Sequence, residues 1–228
     1  MPPILPFDVN ETLLDLATLD PHFERNFGSA AVRKEWFTQA LQLVFVSTLT
    51  GSYADFGKIF AAALQVVEAR HQRSLSPEQR STILETVSQL PAHHDVRDGL
   101  QRLRDAGFRL VTLTNSTSLI AHKQLEHSGI KPYFERIFSA DSVQRLKPAP
   151  EPYRMVASEM GVQLPQLCLV AAHAWDVTGA KRAGCSTAFI ARPGQVLDSL
   201  APKPDLVASD LLDLADQFLK ASRVSTNV

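Results

Sequence analysis

The sequence predicts an α/β fold, a doubly wound and mainly parallel sheet with an all-helical cap inserted after its first strand. Three observations carry this. Short, continuously apolar runs recur along the chain, as strands covered on both faces require. From residue 94 onward these runs alternate with helical periods, the pattern of a doubly wound sheet. One long interval, residues 16–93, holds helical periods and no convincing strand.

The first run, residues 4–7, ends at Asp8. Pro6 falls inside it and has no N–H to give to a ladder, so the pairing of this strand is expected to be short or bulged. Four helical stretches follow, at 20–27, 30–49, 55–72 and 77–89. The last opens Ser76-Pro77-Glu78-Gln79, with serine as N-cap, proline at the first helical position and glutamine three after the cap. The segment PAHHD at 91–95 reads as a hinge, with His93 and His94 as surface residues. Strands at 109–114, 136–139, 167–171, 187–190 and near 206–207 then alternate with helices at 96–106, 119–128, 151–160, 176–183 and 210–221. The expected division is a core of 1–15 and 94–222, a cap of 16–93 and a polar tail of 223–228.

A chain of 228 residues is long enough for one substantial core plus such an insertion. With 23 basic against 24 acidic residues the net charge is −1, so no global field favours nucleic acid or an anionic membrane. Cys168 and Cys185 lie in apolar surroundings and read as reduced core thiols, which fits a reducing compartment. The start carries no basic region ahead of an apolar run, and no apolar run approaches the roughly 20 residues that span a bilayer. The expected location is cytoplasmic.

In an open parallel sheet, reactive groups belong just past the carboxyl ends of the strands. Asp8 follows the first strand, Thr114-Asn115-Ser116 closes the second, Lys147 comes shortly after the third, and Asp176 follows the fourth. Taken singly, each has an ordinary explanation: a helix cap, a turn residue or a solvated charge. Together, in this order and topology, they converge on one edge of the sheet.

These residues sit in FDVNETLLD, TLTNSTS, LKPAPEPY and AAHAWDVTGA, and the helical insert contains GSYADF. In these motifs the chain resembles the haloacid dehalogenase superfamily, and within it the type II (S)-2-haloacid dehalogenases, over nearly its whole length. The resemblance implies a Rossmann-like core under a helical cap and a hydrolase acting on carbon–halide bonds. It further implies a small halogenated carboxylic acid as substrate, no cofactor, no metal, and a homodimer. Asp8 would be the nucleophile, Asp176 would orient water, and Lys147 would hold both acids. Thr12, Thr114 and Asn115, with the backbone N–H groups of Val9 and Asn10, would donate to the nucleophile or the substrate carboxylate. Tyr153 would fix the polar network, and His173 and Trp175 would shape the water site and the apolar wall.

Chemistry separates this reading from the Mg²⁺-dependent phosphatases of the same superfamily. A phosphatase needs a second acid two residues after the nucleophile to protonate the leaving alcohol. Asn10 stands there, and Ala171-Ala172 stand where further carboxylates would hold the metal. A halide leaving group needs neither a proton nor a metal. The pattern departs from the family at Phe37, where an arginine receives the departing halide, and at His173, where the dehalogenases usually have Asn. Arg33 and Lys34, one turn earlier on the Phe37 helix, read as solvated surface charges. Phe37 leaves open a dehalogenase-like protein with a different substrate, beside a phosphatase or a non-catalytic binding protein.

Overall fold

Strand β1 (Ile4–Phe7) lies inside a six-stranded sheet in a computed structural model that describes residues 3–226. The other strands are β2 (Arg109–Thr114), β3 (Arg136–Ser139), β4 (Cys168–Ala171), β5 (Ser186–Ile190) and β6 (Leu206–Ala208). Their order is β3-β2-β1-β4-β5-β6, and every neighbouring pair is parallel. The order reverses between β1 and β4, which makes that boundary the crevice where an open α/β sheet receives ligands.

Pro6 has the effect its chemistry predicts. β1 pairs with β2 along all four residues, whereas its ladder to β4 contains Phe7↔Val170 and an isolated bridge, Ile4↔Leu167. The Asp8 N–H donates to the Val170 carbonyl at 3.0 Å. Pro6 lies two residues earlier on that same edge and has no donor to give.

Four helices follow β1 before the alternation resumes: α1 (Asp20–Phe27), α2 (Val32–Thr50), α3 (Phe56–Arg70) and α4 (Pro77–Thr86). The Ser76 capping box is present: Ser76 Oγ accepts from Gln79 N–H at 3.2 Å, and Gln79 Oε1 accepts from Ser76 N–H at 2.7 Å. Trp36 on α2 anchors this helical block. Its Nε1 donates to the Phe60 carbonyl at 3.0 Å and its ring packs on Phe60 with centroids 4.6 Å apart.

The remaining helices are α5 (Val96–Asp105), α6 (Ser118–His127), α7 (Pro150–Met160), α8 (Ala174–Ala183) and α9 (Leu211–Thr226). Alternation along β1 divides the core. Leu5 and Phe7 join the apolar layer that includes Leu100 on α5 and Leu214 on α9, and which continues into the helical block; Ile4 joins the opposite layer with Val156 on α7 and Val177 on α8. Cys168 and Cys185 are both free and buried, and burial pushes each thiol up to about 12.

Two boundaries differ from expectation. α8 begins at Ala174 rather than Asp176, so Trp175 and Asp176 stand within its first turn. α9 runs on to Thr226, so most of the expected polar tail is helical, while Asn227 and Val228 lie outside the described residues. Among the described residues no helix is long and apolar enough to cross a membrane.

Candidate active site

Asp8 leaves the carboxyl end of β1, Asp176 lies just past β4, and Lys147 enters from the segment between β3 and α7. The Lys147 ammonium is fully buried and places its three protons on Asp8 Oδ1 at 2.8 Å, Asp176 Oδ2 at 2.6 Å and the Leu113 carbonyl at 2.8 Å. Tyr153, in the first turn of α7, donates its hydroxyl to Asp176 Oδ1 at 2.6 Å. It reaches that acid because α8 passes closely at Gly179, where a Cβ would stand 2.7 Å from the Tyr153 hydroxyl and 2.6 Å from Pro148 Cβ. The Thr12 hydroxyl donates to Asp8 Oδ2 at 2.7 Å and accepts from the Ala172 N–H at 3.0 Å. Residues scores of positions apart thus form one buried network.

Several supporting residues are present with duties other than the expected ones. Asn115 does not face the nucleophile: its Oδ1 accepts from the Lys147 N–H at 2.8 Å and its Nδ2 donates to the Lys147 carbonyl at 3.2 Å. It is a clamp on the lysine's backbone. Thr114 Oγ1 accepts from the Ser116 N–H at 3.1 Å, which shapes the turn after β2. The Asn10 side chain donates to Ser116 Oγ at 3.3 Å and accepts from Gln124 Nε2 at 2.9 Å. Val9 is fully buried. Arg33, expected in solvent, is only 5 % exposed, because Asp20 accepts from its Nε and Glu11 lies 3.6 Å from its Nη1. Lys34 is exposed as expected.

Glu11 is the functional candidate that sequence reasoning missed. Its backbone sits in the left-handed region at φ 61, held by His93 Nε2, which lies 3.0 Å from its carbonyl. Its Oε2 lies 2.9 Å from His173 Nε2, while His173 Nδ1 lies 3.2 Å from Asp8 Oδ2. The imidazole therefore bridges two carboxylates. Phe37 stacks on it with centroids 5.9 Å apart, and Trp175 stacks on it at 5.2 Å. Aromatic faces suit a cationic ring, whereas an arginine in place of Phe37 would set a second positive charge against it.

The electrostatics separate the two central acids. Burial works to raise the Asp8 pKa, but Lys147 and His173 outweigh it and hold the carboxyl well below the usual range. At Asp176 burial and the Asp8 charge prevail over Lys147 and Tyr153, and its pKa is raised. Carboxyls pushed apart in this way take different roles, and Asp8 is the one whose charged form the site favours more. Burial would lower the His173 pKa; its hydrogen bonds to Asp8 and Glu11 reverse this and raise it to about 9.

A histidine whose folded pKa is raised stabilises the fold fully below its unfolded pKa, near 6.5, and loses that contribution as pH rises through the folded value. The window here runs from 6.5 to about 9. The expected contribution is on the order of 3 kcal/mol. The melting temperature should fall across that window in the wild type and much less in His173→Asn. Parallel profiles for the two proteins would contradict the bridging role.

The cluster does not fit a magnesium ion. Mg²⁺ needs near-octahedral oxygen ligands. Here the Lys147 ammonium stands between Asp8 and Asp176, both Asp176 oxygens already accept hydrogen bonds, and the Asn10 amide is turned to Ser116 and Gln124.

Comparison with known proteins places the chain in a family. The haloacid dehalogenase-like hydrolase family matches residues 5–184. The chain is 25% identical over 218 residues to an (S)-2-haloacid dehalogenase of Pseudomonas sp. (strain YL), covering 95% of this chain and 94% of that one. It is 27% identical over 201 residues to haloacetate dehalogenase H-2 of Moraxella sp. (strain B), covering 87% and 90%. Among solved structures, the L-2-haloacid dehalogenase RSc1362 superposes with a TM-score of 0.91 at 25% identity, covering 96% of this chain and 99% of that one. With the strand order, the acid–lysine cluster and the helical cap in place, the chain belongs to the haloacid dehalogenase-like hydrolases.

Proposed function

We propose that the protein hydrolyses the carbon–halogen bond of small 2-haloalkanoic acids without a metal, through an ester formed on Asp8. The observation that carries this is a buried, ionised carboxylate with an ammonium, a hydroxyl and an imidazole around it. A carboxylate offers about four lone-pair positions. Lys147, Thr12 and His173 use three, which leaves one for attack at carbon.

In the first step an Asp8 oxygen bonds to the substrate carbon as the halide leaves with the electron pair of the broken bond. Esterification removes the Asp8 charge, so His173 loses one of the two anions that keep it protonated, and its proton passes to solvent. Glu11 still accepts from Nε2, which leaves Nδ1 free to take a proton from water as that water attacks the ester carbonyl. The tetrahedral adduct expels the alkoxide, His173 returns the proton to it, and the regenerated acid reprotonates His173. Halide, 2-hydroxy acid and one proton are the products. Asp176, with both oxygens engaged, serves in this scheme to anchor Lys147, and His173 with Glu11 replaces it as the base for water. The helical block over residues 16–93 closes the site as a cap through Phe37. The cytoplasmic setting and homodimer implied by the resemblance belong to the same proposal. The haloacetate dehalogenase among the relatives supports a short-chain substrate.

The test is halide release from chloroacetate and (S)-2-chloropropionate in EDTA, beside p-nitrophenyl phosphate with Mg²⁺. Halide release that persists in chelator is the expected result. Mg²⁺-dependent phosphate release without halide release would replace this reading with the phosphatase one.

A further inference from the structure

Arg192 is a buried cation to which the proposed reaction gives no task. It stands two residues past the carboxyl end of β5, on the edge of the sheet that carries Asp8, and it is 6 % exposed. Its Nε donates to the Thr12 carbonyl at 3.0 Å and its Nη1 to Asp95 Oδ1 at 2.7 Å. The other Asp95 oxygen accepts from the Leu211 N–H at 2.7 Å, at the start of α9. Burial works to raise the Asp95 pKa, but Arg192 and the Leu211 N–H outweigh it and hold the carboxyl below its usual value. The pair is ionic.

A buried ion pair adds little net stability over apolar residues of the same volume, and the placement of this one points to another duty. Residues 8–15 lead from β1 toward α1, and residues 91–95 lead back to α5. The two segments run side by side. The His93 N–H donates to the Leu13 carbonyl at 2.9 Å, the Asp15 N–H to the Pro91 carbonyl at 2.9 Å, and Leu14 and Ala92 form an antiparallel bridge. Arg192 grips one residue in each, Thr12 in the first and Asp95 in the second.

Thr12 is where that grip meets the chemistry. Its hydroxyl bonds Asp8 Oδ2 and the Ala172 N–H, while its carbonyl bonds Arg192. With the carbonyl fixed, the stiff β-branched side chain has little freedom to turn its hydroxyl away from Asp8. The preceding residue, Glu11, lies at φ 61, a conformation that a non-glycine residue keeps only where its surroundings impose it. His93 lies against the Glu11 carbonyl and Arg192 holds the Thr12 carbonyl. Gln195, three residues past Arg192, donates to Glu11 Oε2 at 3.0 Å. The segment after β5 thus fastens the turn that carries the nucleophile, its hydroxyl donor and the carboxylate partner of His173.

We infer that Arg192 is a positioning residue: through the Thr12 carbonyl it fixes the Thr12 hydroxyl on Asp8 and the Glu11 carboxylate on His173, and through Asp95 it ties that turn to the segment returning to α5. Its effect on turnover rests on the proposed dehalogenation; its hold on His173 does not.

Arg192→Lys in the full-length protein tests this. It keeps a cation beside Asp95, but a point ammonium cannot reproduce two bonds made from one rigid plane. With (S)-2-chloropropionate it should lower kcat about tenfold, the worth of a charged hydrogen bond, with KM nearly unchanged. In a Thr12→Val background the hydroxyl is already gone, and the same change should cost at most about twofold, because residues acting through one contact are not additive. Independently of turnover, an NMR titration should show His173 losing about tenfold in proton affinity as Glu11 moves away from Nε2. A merely structural arginine would lower stability in both backgrounds and leave the His173 titration of the folded protein where it was. Equal kcat losses with and without the Thr12 hydroxyl, or an unchanged His173 titration in the folded variant, would overturn the assignment. Arg192→Gln, which retains a donor for one of the two partners, decides the same questions if the lysine variant does not fold. Wild-type protein that released no halide would overturn the proposed function alone, and the His173 titration would still decide this inference.

Discussion

Asp8→Asn is expected to lose roughly 10⁴-fold or more in kcat while keeping the fold. The amide has nearly the shape of the carboxylate but lacks the anionic oxygen that forms the ester. Its effect also spreads. Among the described residues Asp8 is the only acid in contact with both Lys147 and His173, so its neutralisation leaves Lys147 with Asp176 and His173 with Glu11. The His173 pKa should accordingly drop from about 9, which a histidine titration by NMR would report. A variant that retained more than a few per cent of wild-type halide release would remove Asp8 from the role of nucleophile.

The largest effect on stability is expected at Lys147. Lys147→Met keeps the volume but leaves two acids, Asp8 at 5 % and Asp176 at 0 % exposure, without the cation between them. Breaking a buried pair in this way costs about 3–5 kcal/mol near neutral pH. The sign of the pH dependence follows from burial. Without Lys147 the carboxyl pKa values rise above their unfolded value, near 3.9, and a group raised in that manner favours the fold only in its protonated form. The deficit of Lys147→Met against wild type should therefore shrink as pH falls toward ~4 and widen toward neutrality. Urea unfolding of both proteins across that range measures it. A deficit independent of pH would mean the loss comes from packing, not from uncompensated charge. Activity should fall with stability, since Asp8 loses the donor that fixes its Oδ1.

The sheet was legible because strands covered on both faces must be apolar throughout, and each of the six stands within two residues of its apolar run. The central acids and Lys147 were legible for a topological reason: in a parallel sheet, chain order and strand ends locate a site even when residues lie 139 positions apart, as Asp8 and Lys147 do. Roles were less legible than positions. Asn115 and Thr114 lie where expected, but their bonding depends on how the segment carrying Lys147 folds back, which no local pattern encodes. Glu11 was invisible. An acid in a polar turn looks solvated, and its partner His173 is 162 residues away. Arg33 was placed on the correct face of α2 by helical periodicity, yet the general preference of arginine for water hid its burial, which depends on Asp20 and Glu11 together.

The central claim is that an Asp8 oxygen, not water, attacks the carbon. A single turnover in water enriched in oxygen-18, with enzyme in excess over (S)-2-chloropropionate, tests it directly. If the ester forms and water attacks its carbonyl, the peptide carrying Asp8 becomes heavier by one oxygen-18 and the 2-hydroxy acid product stays unlabelled. Label found in the product, with the Asp8 peptide unchanged, would contradict the account.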